Sequence, residues 1–239
     1  MLFNLFQDPI AAIASLIALI LSLSMHEFAH AYVAYKCGDP TAKAMGRMTL
    51  NPIKHLDLIG FLMMLMVGFG YAKAVPINPY NFRNRRKGYF LTAIAGVTVN
   101  LGLALIMSLP CFFYLVFAGE FLATNFGYFF NCILFYFITI NLSLMFFNML
   151  PIFPLDGFRV VETFTQPNNR FRTFMTHNGP HILLVLILFS TFITALCEYV
   201  KAVPPWIMYF DIFHCVRSLV EIITDGLLNF WSLIFRFLV

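Results

Sequence analysis

Residues 9–35 form one long apolar run, and a run of this length and hydropathy has one stable form, a helix crossing a lipid bilayer. Asp8-Pro9 supplies an N-cap and a first helical residue, and Cys37-Gly38-Asp39-Pro40 supplies a stop. Toward the end of the run stands His26-Glu27-Phe28-Ala29-His30. At about 3.6 residues per turn the two histidines lie on one face, so both imidazoles can reach one metal ion. Glu27 sits beside the first of them, where a carboxylate can take a proton from a water on such an ion. A five-residue pattern can arise by chance, but its depth argues otherwise. His26 lies about 25 Å along the helix from Pro9, against a hydrocarbon core of about 30 Å. Polar groups buried that deep cost about 2 to 3 kcal/mol apiece and are functional by default.

Composition agrees with a membrane chain and excludes a soluble domain. Of the 239 residues 61% are hydrophobic and 11% charged, with a mean hydropathy of +0.83, whereas soluble domains carry about 25% charged residues. The net charge of +4 is no nucleic-acid signal, because the basic residues flank apolar runs instead of forming a patch. The start lacks the basic region of a cleavable signal, so the first run is expected to be retained. The five cysteines are scattered and read as free thiols.

Apolar runs alternate with basic loops along the rest of the chain. Residues 58–71 are apolar but fall short of the ~20 needed to span as a helix. Further spans are expected at 89–117, with a kink at Pro110, at 129–150 and at 181–203. The tail differs. There Arg217, Glu221, Asp225, Asn229, Ser232 and Arg236 recur every three or four residues, drawing a polar stripe down one helix face. Such a helix reads as interfacial or packed rather than spanning.

Twelve of the fifteen Lys and Arg lie between Lys36 and Arg172 in three loops, whereas the N-terminus and residues 118–128 have none. The positive-inside rule assigns those three loops to the cytoplasm. His26, Asn100 and Asp156 then share a depth near that face. The segment 58–79, basic on both flanks, is expected to enter and return on the same side.

A hydrolytic zinc centre takes three protein ligands and leaves one position open. Beyond the two histidines, the candidates are Asp57, Glu120, Asp156, Glu162, His181 and Glu198. Asp156 follows Asn148-Met-Leu-Pro151-Ile-Phe-Pro154-Leu, where two prolines unwind a helix end. It reads equally well as the N-cap of the next helix. Charge leans toward the ligand: a dication with one aspartate keeps a net positive charge that Glu27 offsets in a low-dielectric site.

Five motifs in order now carry a resemblance. They are His26-Glu27-Phe28-Ala29-His30, Gly46-Arg47-Met-Thr-Leu-Asn51-Pro52-Ile-Lys-His55-Leu-Asp57-Leu-Ile-Gly60, Phe69-Gly-Tyr-Ala-Lys73-Ala-Val-Pro76-Ile-Asn78-Pro79, Ala95-Gly96-Val-Thr-Val-Asn100, and Asn148 through Pro151 and Pro154 to Asp156-Gly157. Over about residues 10–165 the chain resembles the site-2 proteases, which are intramembrane zinc metalloproteases. The resemblance implies one zinc ion held by His26, His30 and Asp156, with Glu27 as general base. It also implies that Asn100 and Asn148 lie near the substrate carbonyl. Family members commonly have proline at the positions of Leu58, Ala74 and Val97, a second glycine at Phe158 and tryptophan at Tyr71. None of these departures removes a ligand or the base, but three cluster at 58–74 and bear on substrate access.

The expected fold is an all-α polytopic membrane protein with about five transmembrane helices, a re-entrant segment (helix or β-hairpin) at 58–79 and an amphipathic C-terminal helix. Residues 1–203 would form the protease domain and 204–239 a helical tail. The expected reaction is hydrolysis of a peptide bond within or near a transmembrane helix, as in regulated intramembrane proteolysis. The site would face the cytoplasmic side of a bacterial plasma membrane. The expected partners are a transmembrane substrate and the lipid bilayer, with a homo-oligomer or a regulatory membrane partner also compatible and no nucleic acid. A metal or ion transporter would line its path with the same groups but would not need Glu27 as a base. An inactive substrate-binding relative would usually have lost Glu27 or a ligand.

Overall fold

The computed structural model describes residues 7–67, 70–199 and 205–237. Eight α-helices follow one another among them: α1 (Pro9–Cys37), α2 (Thr41–Ala44), α3 (Leu58–Val67), α4 (Arg85–Phe117), α5 (Asn125–Asn148), α6 (Asp156–Phe164), α7 (Arg170–Tyr199) and α8 (Ile212–Ile234). The fold is all-α and polytopic. Four helices, α1, α4, α5 and the Arg170–Cys197 part of α7, are long and apolar enough to cross a membrane, one fewer than the five expected. α8 has the length but carries Arg217, Glu221 and Asp225 in its middle.

α1 begins and ends where its punctuation requires. The Asp8 carboxylate accepts the Ala11 N–H at 2.9 Å, and Gly38, at φ 112°, closes the helix in the left-handed region that other L-residues avoid. Its buried face is made of small residues, Ala11, Ala14, Ala18 and Ser22, which let a neighbouring helix approach closely. That neighbour is α5, whose Cys132 packs on Ala11 and Ala14 and whose Asn141 Nδ2 donates to Ser22 Oγ at 2.8 Å. α4 packs against both and completes the three-helix core.

The spans extend beyond their apolar runs because polar caps start them earlier. Asn84 accepts the Lys87 N–H at 3.0 Å, so α4 begins at Arg85 rather than 89. Thr124 does the same for Gly127 at 3.0 Å, so α5 begins at Asn125 rather than 129. α7 starts at Arg170, one polar stretch before the expected 181.

Among its described residues the segment 58–79 is a helix followed by extended chain and 3₁₀ turn, not a β-hairpin. Asp57 caps the Ile59 and Gly60 N–H groups at 3.0 Å, and the Leu- and Met-rich stretch after it becomes α3. The returning chain passes so close that a Cβ on Gly60 would lie 2.1 Å from the Tyr71 carbonyl oxygen. Its two ends then meet: Leu56 and Ala72 form an antiparallel bridge, and the Lys73 N–H donates to His55 O at 2.8 Å. A segment whose ends touch enters and leaves on one side.

The amphipathic tail helix takes the packed form of the two expected. Val220 of α8 shares a core with Ala104 and Cys111 of α4 and with Leu134, Ile138 and Leu142 of α5.

Candidate metal centre

Three elements converge at one end of the bundle. α1 presents His26 and His30, α4 presents Thr92, Gly96 and Asn100 in successive turns, and the chain leaving α5 delivers Asp156 as the first residue of α6. His30 Nε2 lies 3.0 Å from His26 Nε2 and 2.9 Å from Asp156 Oδ2, and His26 Nε2 is 3.1 Å from that same oxygen. His26, His30 and Asp156 are only 4%, 2% and 5% exposed.

Hydrogen bonding dictates what these atoms can do. His30 Nδ1 lies 2.7 Å from the Thr92 carbonyl oxygen, which only accepts, so Nδ1 carries the proton and Nε2 is bare. His26 Nδ1 meets the Asn100 amide at 3.2 Å. With the amide nitrogen toward the ring, the buried Asn100 Oδ1 has no partner. With the amide turned, Oδ1 accepts the Nδ1 proton and His26 Nε2 is bare as well. Three lone-pair atoms this close repel unless a cation or a shared proton lies between them. Two imidazoles and a carboxylate are a zinc donor set, so these residues fit that ion. Among the described residues, no other group of three His, Cys, Asp or Glu side chains could hold a metal.

Two of the competing acids are engaged elsewhere. Asp57 caps α3, and Glu162 accepts from Tyr89 Oη at 2.7 Å and pairs with Arg172 at 2.9 Å. The N-cap of α6 is Leu155, so Asp156 is free of the capping role it was equally suited to. Its Oδ1 accepts from Arg159 Nη1 at 3.4 Å. Asn148 is less committed to the centre: its Nδ2 donates to Leu144 O at 3.0 Å within its own helix.

Glu27 is 8% exposed, and its Oε2 accepts the Val75 N–H at 2.9 Å. The strand of chain bearing Val75 is pinned from both sides. Arg47 Nη2 donates to Lys73 O at 2.5 Å and to Ala74 O at 3.4 Å, while Asp39 accepts from the Asn78 N–H at 2.7 Å and Asn81 Nδ2 at 2.9 Å. Burial raises the Asp39 carboxyl, but these donors and Thr41 outweigh it and hold the group below its ordinary value. A narrow apolar cleft lined by Ile20, Leu23, His55, Met64, Tyr71 and Ala72 separates α1 from the re-entrant segment. Ile20, Leu23 and Glu27 share one helix face, so the cleft leads toward Glu27.

Three supports of the centre escaped sequence reasoning. Two are backbone groups, Thr92 C=O and Val75 N–H, which no side chain advertises. The third is Gly96, where a Cβ would lie 2.4 Å from His26 Cε1 and 2.5 Å from His30 Nε2. Only glycine lets α4 approach both rings, and its place four residues before Asn100 in the motif was the available signal.

Membrane-length helices enclosing such a triad, with a buried carboxylate beside it, make this a membrane metalloprotease. The model of Peptidase family M50 matches residues 122–190. The chain is 44% identical over 191 residues to YwhC of Bacillus subtilis (strain 168), named as a proposed zinc metalloprotease, covering 77% of this chain and 82% of the relative. It is 28% identical over 219 residues to Rip2 of Mycolicibacterium smegmatis, similarly named, covering 89% and 78%. It is 29% identical over 159 residues to Rip2 of Mycobacterium tuberculosis (strain H37Rv), covering 63% and 57%. No solved structure matches the chain at a significant level. The chain belongs to peptidase family M50, the site-2 proteases.

Proposed function

We propose that this member is an endopeptidase that hydrolyses a peptide bond within or near a transmembrane helix of another membrane protein. His26, His30 and Asp156 would hold one zinc ion, which when bound supplies Lewis acidity toward a water and toward the peptide carbonyl. Glu27 takes the proton of the attacking water and returns it to the leaving amine nitrogen. Val75 N–H holds Glu27 Oε2, so Oε1 is the oxygen left for that proton. Asn100 orients the His26 ring. Asn148 has a second amide hydrogen beyond the one given to Leu144, and it or Asn100 donates to the carbonyl oxygen as charge builds there.

A helical substrate hides its carbonyls in i to i+4 bonds, so it must unwind before attack. The cleft beside the extended chain after Ala72 is where the unwound stretch would lie, paired in part through backbone groups. The basic loops at the metal-centre end argue for a cytoplasmic site in a bacterial plasma membrane and for a cytosolic product, the pattern of regulated intramembrane proteolysis. Residues 1–203 are assigned to the protease domain, with 204–239 a helical tail. The observation that carries this reading is that His26 Nε2, His30 Nε2 and Asp156 Oδ2 lie within 3.1 Å of one another, with a buried carboxylate on the residue next to His26.

Glu27→Gln tests it. The variant is expected to keep about one zinc per chain while cleavage of a transmembrane test substrate falls by about 10² or more, the usual cost of losing a general base. Turnover within a few-fold of wild type would remove Glu27 from that role.

A further inference from the structure

Asn141 of α5 is fully buried, and so is its partner Ser22 of α1. The Ser22 hydroxyl proton goes to Ala18 O at 2.7 Å, so Ser22 Oγ meets Asn141 only as an acceptor. Asn141 Nδ2 gives its two hydrogens to Ser22 Oγ at 2.8 Å and to Phe137 O at 2.7 Å. Two acceptors therefore fix the nitrogen, and with it the oxygen. That oxygen, Oδ1, is buried and has no hydrogen-bond partner among the described residues. A contact between helices explains the amide nitrogen. It leaves the oxygen unexplained, and buried acceptors are rarely left open in a folded protein.

A matching donor stands on α4. With the Asn100 amide turned so that Oδ1 accepts the His26 Nδ1 proton, Asn100 Nδ2 is left without an acceptor. α1 and α4 run antiparallel, with Thr92 opposite His30 and Asn100 opposite His26. Ser22 is one turn before His26, about 6 Å along α1, and helical side chains lean toward the N-terminus, so the His26 ring lies over that turn. Ala104, one turn beyond Asn100, shares a core with Ile138 and Leu142, a turn before Asn141 and next to it. The other buried side-chain acceptors without a partner lie elsewhere. Thr92 Oγ1 is two turns, about 12 Å, back along α4, and His55 Nδ1 belongs to the cleft on the Ile20 and Leu23 side of α1.

We propose that Asn141 is a positioning residue of the metal centre: its Oδ1 takes the free Nδ2 hydrogen of Asn100, directly or across one ordered water, and so locks the amide that holds His26. The relay runs from Ser22 and Phe137 through Asn141 and Asn100 to His26, and every link in it has one donor and one acceptor. Without Asn141 Oδ1, the Asn100 amide has no reason to keep its oxygen on the ring. The opposite end sets an N–H against His26 Nδ1 and moves the ring proton to Nε2, the atom that would bind zinc. Asn141 itself touches neither the three proposed ligands nor Glu27. The inference rests on the proposed role of His26 as a ligand and adds a support to it.

The test sets Asn141→Leu against Ser22→Ala in the purified full-length chain. Both variants lose the hydrogen bond between α1 and α5, but only the first loses Oδ1. Zinc affinity, read by competition with a chelator, should fall about tenfold or more in Asn141→Leu and stay within about twofold of wild type in Ser22→Ala. Asn141→Asp, neutral at this depth, keeps the acceptor and should bind zinc within about threefold of wild type. In ¹⁵N-histidine NMR of the zinc-loaded chain, the His26 Nδ1 proton should exchange slowly in wild type and Ser22→Ala and rapidly in Asn141→Leu. Rapid exchange in wild type would overturn the proposal whether or not the leucine variant folds. Equal affinities in Asn141→Leu and Ser22→Ala, or an equal loss in Asn141→Asp and Asn141→Leu, would overturn it too. If wild type binds no zinc, the reading of the centre fails first, and the unfolding equilibrium of the metal-free chain decides on the relay. Asn141→Leu should then shift that equilibrium about threefold less when Asn100 is already leucine, and full additivity would refute the contact.

Discussion

α1 and α8 both pack along α4 and α5 and both carry ionisable groups, but they point them in opposite directions. In α1, Ser22 meets Asn141, His26 meets Asn100, His30 meets Thr92, and Glu27 meets Val75. Each of these four groups faces inward and has a partner on another element. In α8, Arg217, Glu221 and Asp225 face outward. Depth makes a polar residue of α1 costly, which marks it as functional. Direction decides which function. Inward groups with orienting partners are suited to a reaction centre, whereas the outward charged groups of α8 have no such partner among the described residues.

The sharpest break in this comparison is Asp156→Ala. Removing one of three ligands should lower zinc affinity by more than the 10- to 100-fold typical of losing an orienting partner, whereas Asp57→Ala should leave it unchanged. Metal analysis of the two purified variants decides the matter, and full zinc in Asp156→Ala would move the third ligand to Glu162 or Asp57. Gly96→Ala comes next. Its Cβ must displace both imidazoles, so zinc affinity should fall by about 10- to 100-fold, read by competition with a chelator. Wild-type affinity would mean that α4 can shift away without disturbing the rings.

The centre was more legible in the sequence than the fold around it. His26, Glu27, His30 and Asp156 announce themselves because metal chemistry restricts residue type and spacing, and the structure gathers the three proposed ligands into one cluster. Span boundaries were less legible. Hydropathy sees where the apolar run ends, while Asn84 and Thr124 start their helices in the polar flank. The stretch 58–79 was ambiguous because glycines between β-formers suit a hairpin as well as a helix. Asp57 capping and the close crossing at Gly60 decide for the helix, and the crossing is a contact with residues that local pattern does not pair. The stripe on α8 was visible as a period, but whether it faced inward or outward depended on which side Val220 packs, and no local signal gives that.

Arg47→Ala should have a smaller effect, since Arg47 touches neither ligand nor base. It holds the carbonyls of Lys73 and Ala74, and through them the Val75 N–H on Glu27. Losing it should reduce turnover by roughly tenfold with zinc content unchanged, well short of the ~10² that a 1 Å misplacement of a reacting group can cost. Hydrogen exchange at Val75 should quicken in the same variant; unchanged exchange would show that the strand is held without Arg47. Asp39 anchors the other end of this strand and adds a pH dependence. Its carboxyl is depressed in the fold, so its contribution is complete above the ordinary aspartate value of about 3.9 and is lost as pH falls through the lower folded value.

The smallest expected effect compares the two helices directly. Ser22→Ala removes one hydrogen bond from Asn141, whose Nδ2 still donates to Phe137 O at 2.7 Å within α5. Interhelical hydrogen bonds in membrane proteins average about 0.6 kcal/mol, because the chain unfolded in the membrane also finds partners. The small Ala11, Ala14 and Ala18 contacts remain, so α1 and α5 should stay packed, and reversible unfolding in mixed micelles should register a loss near that average. Glu221→Leu, measured in the same micelles, should cost nothing, because among the described residues no partner of Glu221 is lost. If Glu221→Leu destabilised the monomer as much as Ser22→Ala, Glu221 would have a partner inside its own chain, and the distinction between inward and outward polar groups would fail for α8.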